Sequence, residues 1–280
     1  NTLEKVFTKL DTPIPLGYSC VGEVVKVGDK VTGISVGDRV ACGGAGYANH
    51  SEINYVPRNL FVKVPENVSD ADASFVTVGS IALQGIRQTN PSLGEKVVVM
   101  GLGLLGQITV QLLKANGCKV LGTDFDPRKL ELAKKLGADE VCSPDKVIDK
   151  AKLFTNGNGA DAVVIAASTS SSQPIADAGE ISRIKGRVIV VGLVGMDIPR
   201  TEYYKKELEL KLSMAYGPGR YDPKYEEQGI DYPFAHVRWT EGRNFEAFLD
   251  LVDEGKITPS EMVSHEYEFD NALTAYDLLE

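Results

Sequence analysis

The sequence predicts an α/β chain, a doubly wound parallel sheet preceded by a smaller β-rich module, and three observations predict it. Residues 88 to about 215 alternate β-branched runs with amphipathic stretches, the pattern of parallel strands joined by helical crossovers. A glycine turn from Gly101 to Gly106 closes the first of those runs and opens the first amphipathic stretch. Residues 1 to about 65 carry, after a short helical opening, β-forming runs separated by Gly17, Gly28, Gly33 and Gly37,.

In the β-rich module, Gly22 to Val27 and Val31 to Val40 read as strands, with Gly28-Asp29 and Gly37-Asp38 at hairpin ends,. Cys42 to Gly46 is too rich in glycine for regular structure, and short strands resume over Ser51 to Pro57 and Leu60 to Val64. Ser69 to Arg87 has helical spacing and reads as the connection into the sheet. There the strands are expected at Val97 to Met100, Lys119 to Thr123, Glu140 to Cys142, Ala162 to Ala166, Arg187 to Gly192 and Glu209 to Ser213. Helices are expected near 104–116, 127–136, 145–155 and 173–184,. An irregular segment, Tyr216 to Asn244, follows. The chain then reads as a helix from Phe245 to Glu254, a β-like stretch from Met262 to Phe269 and a last helix from Asn271 to Leu279.

The glycine turn carries the chemistry. Gly101, Gly103 and Gly106 have G-x-G-x-x-G spacing between a strand and a helix. Gly101 reverses the chain, Gly103 lets backbone approach a pyrophosphate, and Gly106 lets the helix lie close to the strand. Leu104 and Leu105 open that helix, whose unpaired N–H groups and dipole favour an anion. Asp124 closes the second strand 18 positions after Gly106, where a carboxylate can accept both ribose hydroxyls of an adenosine. It would repel a 2′-phosphate, so NAD(H) is favoured over NADP(H). The competing role for Asp124, a helix N-cap, suits Asp126 better because Pro127 follows it directly.

Composition excludes several other classes. Thirty basic and thirty-nine acidic residues give a net charge of −9, spread along the chain, so nucleic acid and anionic membranes are poor partners. The longest apolar stretch, Val97 to Leu113, is broken by glycines, Gln107 and Thr109, and does not make a membrane span. Cys20, Cys42, Cys118 and Cys142 are scattered, with no secretory signal before them; they read as thiols of a cytoplasmic protein. Because the chain begins with Asn1, it is expected to be N-terminally incomplete.

The order of a β-rich module, Gly-Asp-Arg-Val (Gly37 to Val40), VPRNLFVKVPENVS (Val56 to Ser69) and the GLGLLG turn resembles the medium-chain dehydrogenase/reductase superfamily over nearly the whole chain. The stretches PLGYSCVGEVV, GAGYANH and YGPGRYDPKYEEQGIDYP are most similar to the alcohol-dehydrogenase-like half of bacterial bi-domain oxidoreductases. The resemblance implies a GroES-like catalytic domain over residues 1–87, to which 257–280 return, and a Rossmann dinucleotide-binding domain over 88–256. It also implies a further segment before Asn1 and a second module after Glu280. It places Lys129 at the adenosine ribose, although a solvated helix face would serve that residue equally, and Val191, Gly192 and Leu193 beside the nicotinamide. Family members hold a catalytic zinc with a Cys from the N-terminal segment, a His in a Gly-His-Glu turn, and a Cys or acid on the linking helix. Here the turn reads Gly17-Tyr18-Ser19 and the helical position falls at Val78. Neither tyrosine nor valine replaces an imidazole or thiolate, and His50, His236 and His265 are isolated in sequence, so no zinc is expected. Tyr18 and Ser19 become the candidate catalytic groups, or else ordinary strand-end packing.

The Tyr216–Asn244 segment gathers Tyr216, Arg220, Tyr221, Tyr225, Tyr232, Phe234, Arg238 and the sole tryptophan, Trp239. Tyr216, Arg220 and Trp239 are candidate substrate contacts for a sugar or polyol; the same aromatics would equally serve an inter-subunit or inter-domain packing loop. Two functions stay open. One is a zinc-independent NAD(H)-dependent oxidoreductase acting on a hydroxyl or carbonyl of a sugar, polyol or nucleotide-sugar-like compound, with enone or quinone reduction as the alternative chemistry. The other is a non-catalytic nucleotide-binding module. The expected partners are a small-molecule substrate and further copies of the chain, as a dimer or tetramer.

Overall fold

The computed structural model describes residues 15–278, so the helical opening expected before Leu16 lies outside the described residues. The β-rich module is a three-stranded antiparallel sheet of β1 (Ser19–Glu23), β2 (Arg39–Gly43) and β3 (Phe61–Lys63), in that order. It is sparser than expected. Val31 to Asp38 and Ser51 to Pro57 form turns and bends, because β-forming side chains make a strand only where a partner supplies the ladder. Conversely, β2 runs through Cys42 and Gly43 into the glycine-rich stretch. A Cβ on Gly43 would stand 2.4 Å from the Phe245 ring and 2.6 Å from Thr77 Oγ1, so that glycine permits close packing rather than a turn.

The helical connection is broken in two, α1 (Asp70–Ala73) and α2 (Val76–Thr89). Ser69 caps α1 by accepting from the Asp72 N–H,. The parallel sheet then builds up as β4 (Lys96–Met100), α3 (Leu104–Ala115), β5 (Lys119–Thr123), α4 (Pro127–Lys135), β6 (Glu140–Cys142), α5 (Val147–Phe154), β7 (Ala160–Ile165), α6 (Gln173–Ile181), β8 (Ser182–Val190), α7 (Arg200–Lys206) and β9 (Glu209–Leu212). The strand order is β6-β5-β4-β7-β8-β9. The chain order therefore reverses beside β4, which places a crevice at the carboxyl ends of β4 and β7.

Side chains along each strand alternate between two cores. Val97 and Val99 face α2, α3 and the later helix α9 (Glu241–Asp253), packing with Leu83, Ile86, Ile108, Leu112, Phe245 and Phe248. Val98 and Met100 face α5, α6 and α7, packing with Val147, Ile175, Ala178 and Tyr203. Burial on both faces explains the unbroken Val97-Val98-Val99 run, each valine contributing roughly 1.5–3 kcal/mol. Ala41, Val62 and Val64 of the β-rich module belong to the first of these cores.

The Tyr216–Asn244 segment contains one short helix, α8 (Pro223–Glu226). Met262 to Phe269 is not a strand: a 3₁₀ turn spans Pro259–Met262 and irregular backbone follows it. The last helix is α10 (Ala272–Asp277). The C-terminal stretch touches the chain's first half, through Ser260 N–H to Asp72 Oδ1 at 2.8 Å and through the Tyr276 hydroxyl against His50 Nδ1. Among the described residues, no helix is long and apolar enough to cross a membrane.

Candidate active site

The glycine turn sits at the carboxyl end of β4. Gly101 has φ +89°, and a Cβ on Gly106 would lie 1.9 Å from the Gly101 carbonyl oxygen. No side chain larger than hydrogen is compatible with that approach. Above Gly103 the situation is opposite: nothing stands within 4 Å of where its Cβ would be. Gly103 is the N-cap of α3, and no side chain caps that end. Leu104 is exposed and Leu105 packs against the first core. The first turn of the helix thus offers unpaired N–H groups toward open space.

Asp124 leaves β5 toward this turn. Its Oδ2 accepts from the Leu102 N–H at 2.8 Å and its Oδ1 from the Asp126 N–H at 3.0 Å, while Lys129 Nζ lies 3.9 Å away. A carboxylate has about four acceptor positions, so acceptor capacity is left over. Asp126 caps α4 as its sequence position predicts, accepting from the Arg128 N–H. Gln107 is a participant that sequence reasoning did not single out. Its Nε2 donates to the carbonyls of Leu102 and Lys129, tying the glycine turn to the start of α4. Only its place one residue after Gly106 could have marked it.

On the neighbouring side, the N–H groups of Val191 and Gly192 both reach the Ile165 carbonyl at 2.9 Å. A Cβ on Gly192 would be 2.1 Å from the Ala167 carbonyl oxygen, and one on Gly101 would be 2.6 Å from the Ala167 N. Ala166 and Ala167, unmarked in the sequence except for their small size, are therefore held between the two glycines. Leu193 pairs with Ser168 in an isolated parallel bridge and is 76% exposed.

Helix α2 links this crevice to the β-rich module. At Gly85 it touches Val191, whose Cγ2 would be 2.7 Å from a Cβ there. Eight residues earlier, about 12 Å along the helix axis, Thr77 Oγ1 donates to the Tyr18 carbonyl at 3.1 Å. The helix residue that meets Tyr18 and Ser19 is therefore Thr77, whereas Val78, where the resemblance puts the family's helical zinc ligand, packs against the first core. Tyr18 is 47% exposed. Ser19 Oγ donates to the Ser74 carbonyl at 2.7 Å and accepts from the Thr77 N–H at 3.4 Å, so its hydroxyl joins β1 to the junction of α1 and α2.

Tyr18, Ser19 and Thr77 bring hydroxyls, not imidazole or thiolate, and two of those hydroxyls already donate to carbonyls. Among the described residues, no group of three or more His, Cys, Asp or Glu side chains is placed to hold a metal ion. The described donor set does not fit a tetrahedral zinc at this place.

The three candidate substrate residues each contact other side chains of the chain. Tyr216 is buried with its ring 5.7 Å from that of Phe245 and its hydroxyl unpartnered; burial pushes its pKa up. Arg220 pairs with Glu226 at 2.5 Å, both largely buried. Trp239 lies between two guanidiniums, with Arg87 at 3.2 Å and Arg238 at 3.6 Å from its ring centre. Burial, then the charge of Arg238, pulls Arg87 down to about 10, and Arg87 Nε donates to Asn244 Oδ1 at 2.7 Å. Tyr216, Arg220 and Trp239 are thus each held by other side chains of the chain, aromatic faces meeting guanidiniums and one another,. Beneath them is Glu241, with no exposed surface and both carboxylate oxygens unpartnered. Burial foremost, and the charge of Glu226 next, push its pKa up to about 9.

Two family models match the chain: an alcohol dehydrogenase GroES-like domain over residues 2–67 and a zinc-binding dehydrogenase over residues 105–228. The chain is 27% identical over 301 residues to the D-xylulose reductase A of Aspergillus oryzae, covering 94% of this chain and 76% of that protein. It is 28% identical over 266 residues to the D-guloside 3-dehydrogenase of Shigella flexneri, covering 93% of this chain and 72% of that protein. Among solved structures, the alcohol dehydrogenase TADH of Thermus sp. ATN1 superposes with a TM-score of 0.79 at 23% identity, covering 100% of this chain and 86% of that one. This last likeness speaks for the fold.

Proposed function

We propose that this chain, which belongs to the medium-chain dehydrogenase/reductase superfamily among its alcohol-dehydrogenase-like members, is an NAD(H)-dependent oxidoreductase acting on a hydroxyl or carbonyl of a sugar or polyol without a zinc ion. The observation that carries the reading is the open space over Gly103 beside the Asp124 carboxylate. A helix N-terminus with unpaired N–H groups, room for a pyrophosphate and an acceptor with spare capacity are the three things an adenine dinucleotide needs. The relatives named for reduction or oxidation of sugars support the substrate class.

When bound, the nicotinamide supplies or takes up a hydride; the remaining roles fall to the chain. Gly101, Gly103, Gly106 and the N–H groups of Leu104 and Leu105 would hold the pyrophosphate, and Asp124 the adenosine ribose. Asp124 opposes a 2′-phosphate, which is the ground for preferring NAD(H), although Lys129 beside it weakens that opposition. Val191, Gly192 and Leu193 would border the nicotinamide. Tyr18, exposed and held by its carbonyl on α2, would pass the proton that a hydroxyl loses or a carbonyl gains. Ser19 would position Tyr18 rather than meet substrate, since its own hydroxyl is committed to Ser74.

Fluorescence titration with NADH and NADPH tests the reading. NADH should bind more tightly; binding of neither would leave a non-catalytic module, and NADPH alone would show that Asp124 has been misread. A screen of polyol oxidation against enone reduction then decides the chemistry, the second outcome favouring the alternative reductase.

A further inference from the structure

Cys20 and Cys42 stand opposite each other in the antiparallel pair of β1 and β2, and opposed residues project from the same face. The bonds from Gly44 N–H to the Tyr18 carbonyl and from Val24 N–H to the Asp38 carbonyl, each 2.9 Å, mark hydrogen-bonded rungs on either side. Rungs alternate, so Cys20 and Cys42 share a hydrogen-bonded one, with Cα atoms about 5.5 Å apart. That is within the roughly 4.4–6.8 Å a disulfide spans. The neighbouring Cys42 side chain lowers the pKa of the Cys20 thiol, while Cys20 and burial raise that of Cys42. Asn54 Nδ2 also donates to Cys20 Sγ, at 3.7 Å. Both residues line one cavity of ≈ 480 Å³, and Cys20 is only half-buried. Cys118 and Cys142 are buried, and burial raises the pKa of each.

We propose that Cys20 and Cys42 form a redox-modification site that a low-molecular-weight disulfide oxidises to a cross-strand disulfide. The Cys20 thiolate attacks one sulfur of the small disulfide, forming a mixed disulfide and expelling one thiolate. Cys42 then loses its proton and attacks Cys20 Sγ, closing the intramolecular bond and expelling the second thiolate. The protein pair loses two electrons and the small disulfide gains two. Opposed Cβ atoms at about 4.5–5.5 Å must close to about 3.8 Å, so the bond strains the strand pair and is readily reduced. Its place is specific: Cys20 follows Ser19 and lies two residues from Tyr18, so oxidation shifts the start of β1, where the candidate catalytic tyrosine is held.

The test uses the folded protein and oxidised glutathione, with acid quenching, alkylation and peptide mass spectrometry; it needs no substrate. Alkylatable thiols should fall from four to two, with a Cys20–Cys42 cross-linked peptide that dithiothreitol abolishes. The variant Cys42→Ser should stop at glutathione on Cys20, and Cys20→Ser should leave Cys42 unmodified. Retention of all four thiols, or a wild-type mixed disulfide on Cys20 that never passes to Cys42, overturns the proposal. If either variant fails to fold, peptide mapping of the wild type decides alone.

Discussion

Two stretches of equal length, Lys96–Asp124 and Tyr216–Asn244, show opposite ways of using sequence. In the first, strand, turn, helix and carboxylate follow one another, and the Asp124 carboxylate closes back on the Leu102 N–H within the stretch. In the second, side chains are satisfied partly by one another, as Arg220 with Glu226 and Tyr225 with Thr240, and partly from outside the segment. Tyr216 rests on Phe245, Trp239 on Arg87, and Tyr225 accepts the Asn59 side-chain amide on its carbonyl. The first is built around a space, the second around its own interior.

That contrast predicts which changes harm binding and which harm stability. The largest effect on binding is expected from Gly106→Ala. Its methyl would meet the Gly101 carbonyl, so the turn must rebuild and NADH affinity should fall by at least about a hundredfold, a transition-state-independent loss of roughly 2.7 kcal/mol by titration. On stability the largest effect is expected from Arg220→Ala, which strips the buried Glu226 of its counter-charge and leaves it the Tyr221 N–H. It should cost about 3 kcal/mol in denaturant unfolding while NADH affinity stays within about twofold; a large loss of affinity would show that the segment belongs to the crevice after all.

Glu241→Gln gives a smaller effect with a defined sign. The folded-state pKa of Glu241 is raised, to about 9, so the folded protein holds a proton that the unfolded chain has released. Stability from this group is full below the ordinary glutamate range and is lost as pH rises through about 9. The wild type should therefore weaken between those limits, and the amide variant, which cannot ionise, should lose this slope and exceed the wild type at pH 8 by about 1 kcal/mol or more. Parallel pH profiles would count against a buried neutral acid. The smallest structural effect is expected for Tyr18→Phe: an unchanged melting temperature, since the ring is half exposed, with turnover reduced at least about tenfold. Unchanged turnover would remove Tyr18 from the proton path.

The same contrast explains what could be read in advance. The six strands of the sheet were legible because each is a short apolar run between turn residues, and the glycine turn at Gly103 because its spacing is its geometry. Helix α7 was not legible: Arg200-Thr201-Glu202-Tyr203-Tyr204-Lys205-Lys206 buries only Tyr203 and shows no apolar stripe. The alternation over Met262 to Phe269 looked like a strand, yet no described strand pairs with it. Thr77 carried no mark in the sequence, because which face of α2 meets β1 depends on how the helix docks, not on its own residues. The pairing of Arg220 with Glu226 was not legible because it is recognisable only once α8 is folded.

Trp239 is the chain's one indole, and two guanidiniums clasp it. It is consequently a built-in optical reporter for a single place. Its emission will register when the clasp lets go, separately from the circular dichroism of the sheet, so loosening of this outer fold can be timed against global melting without any label.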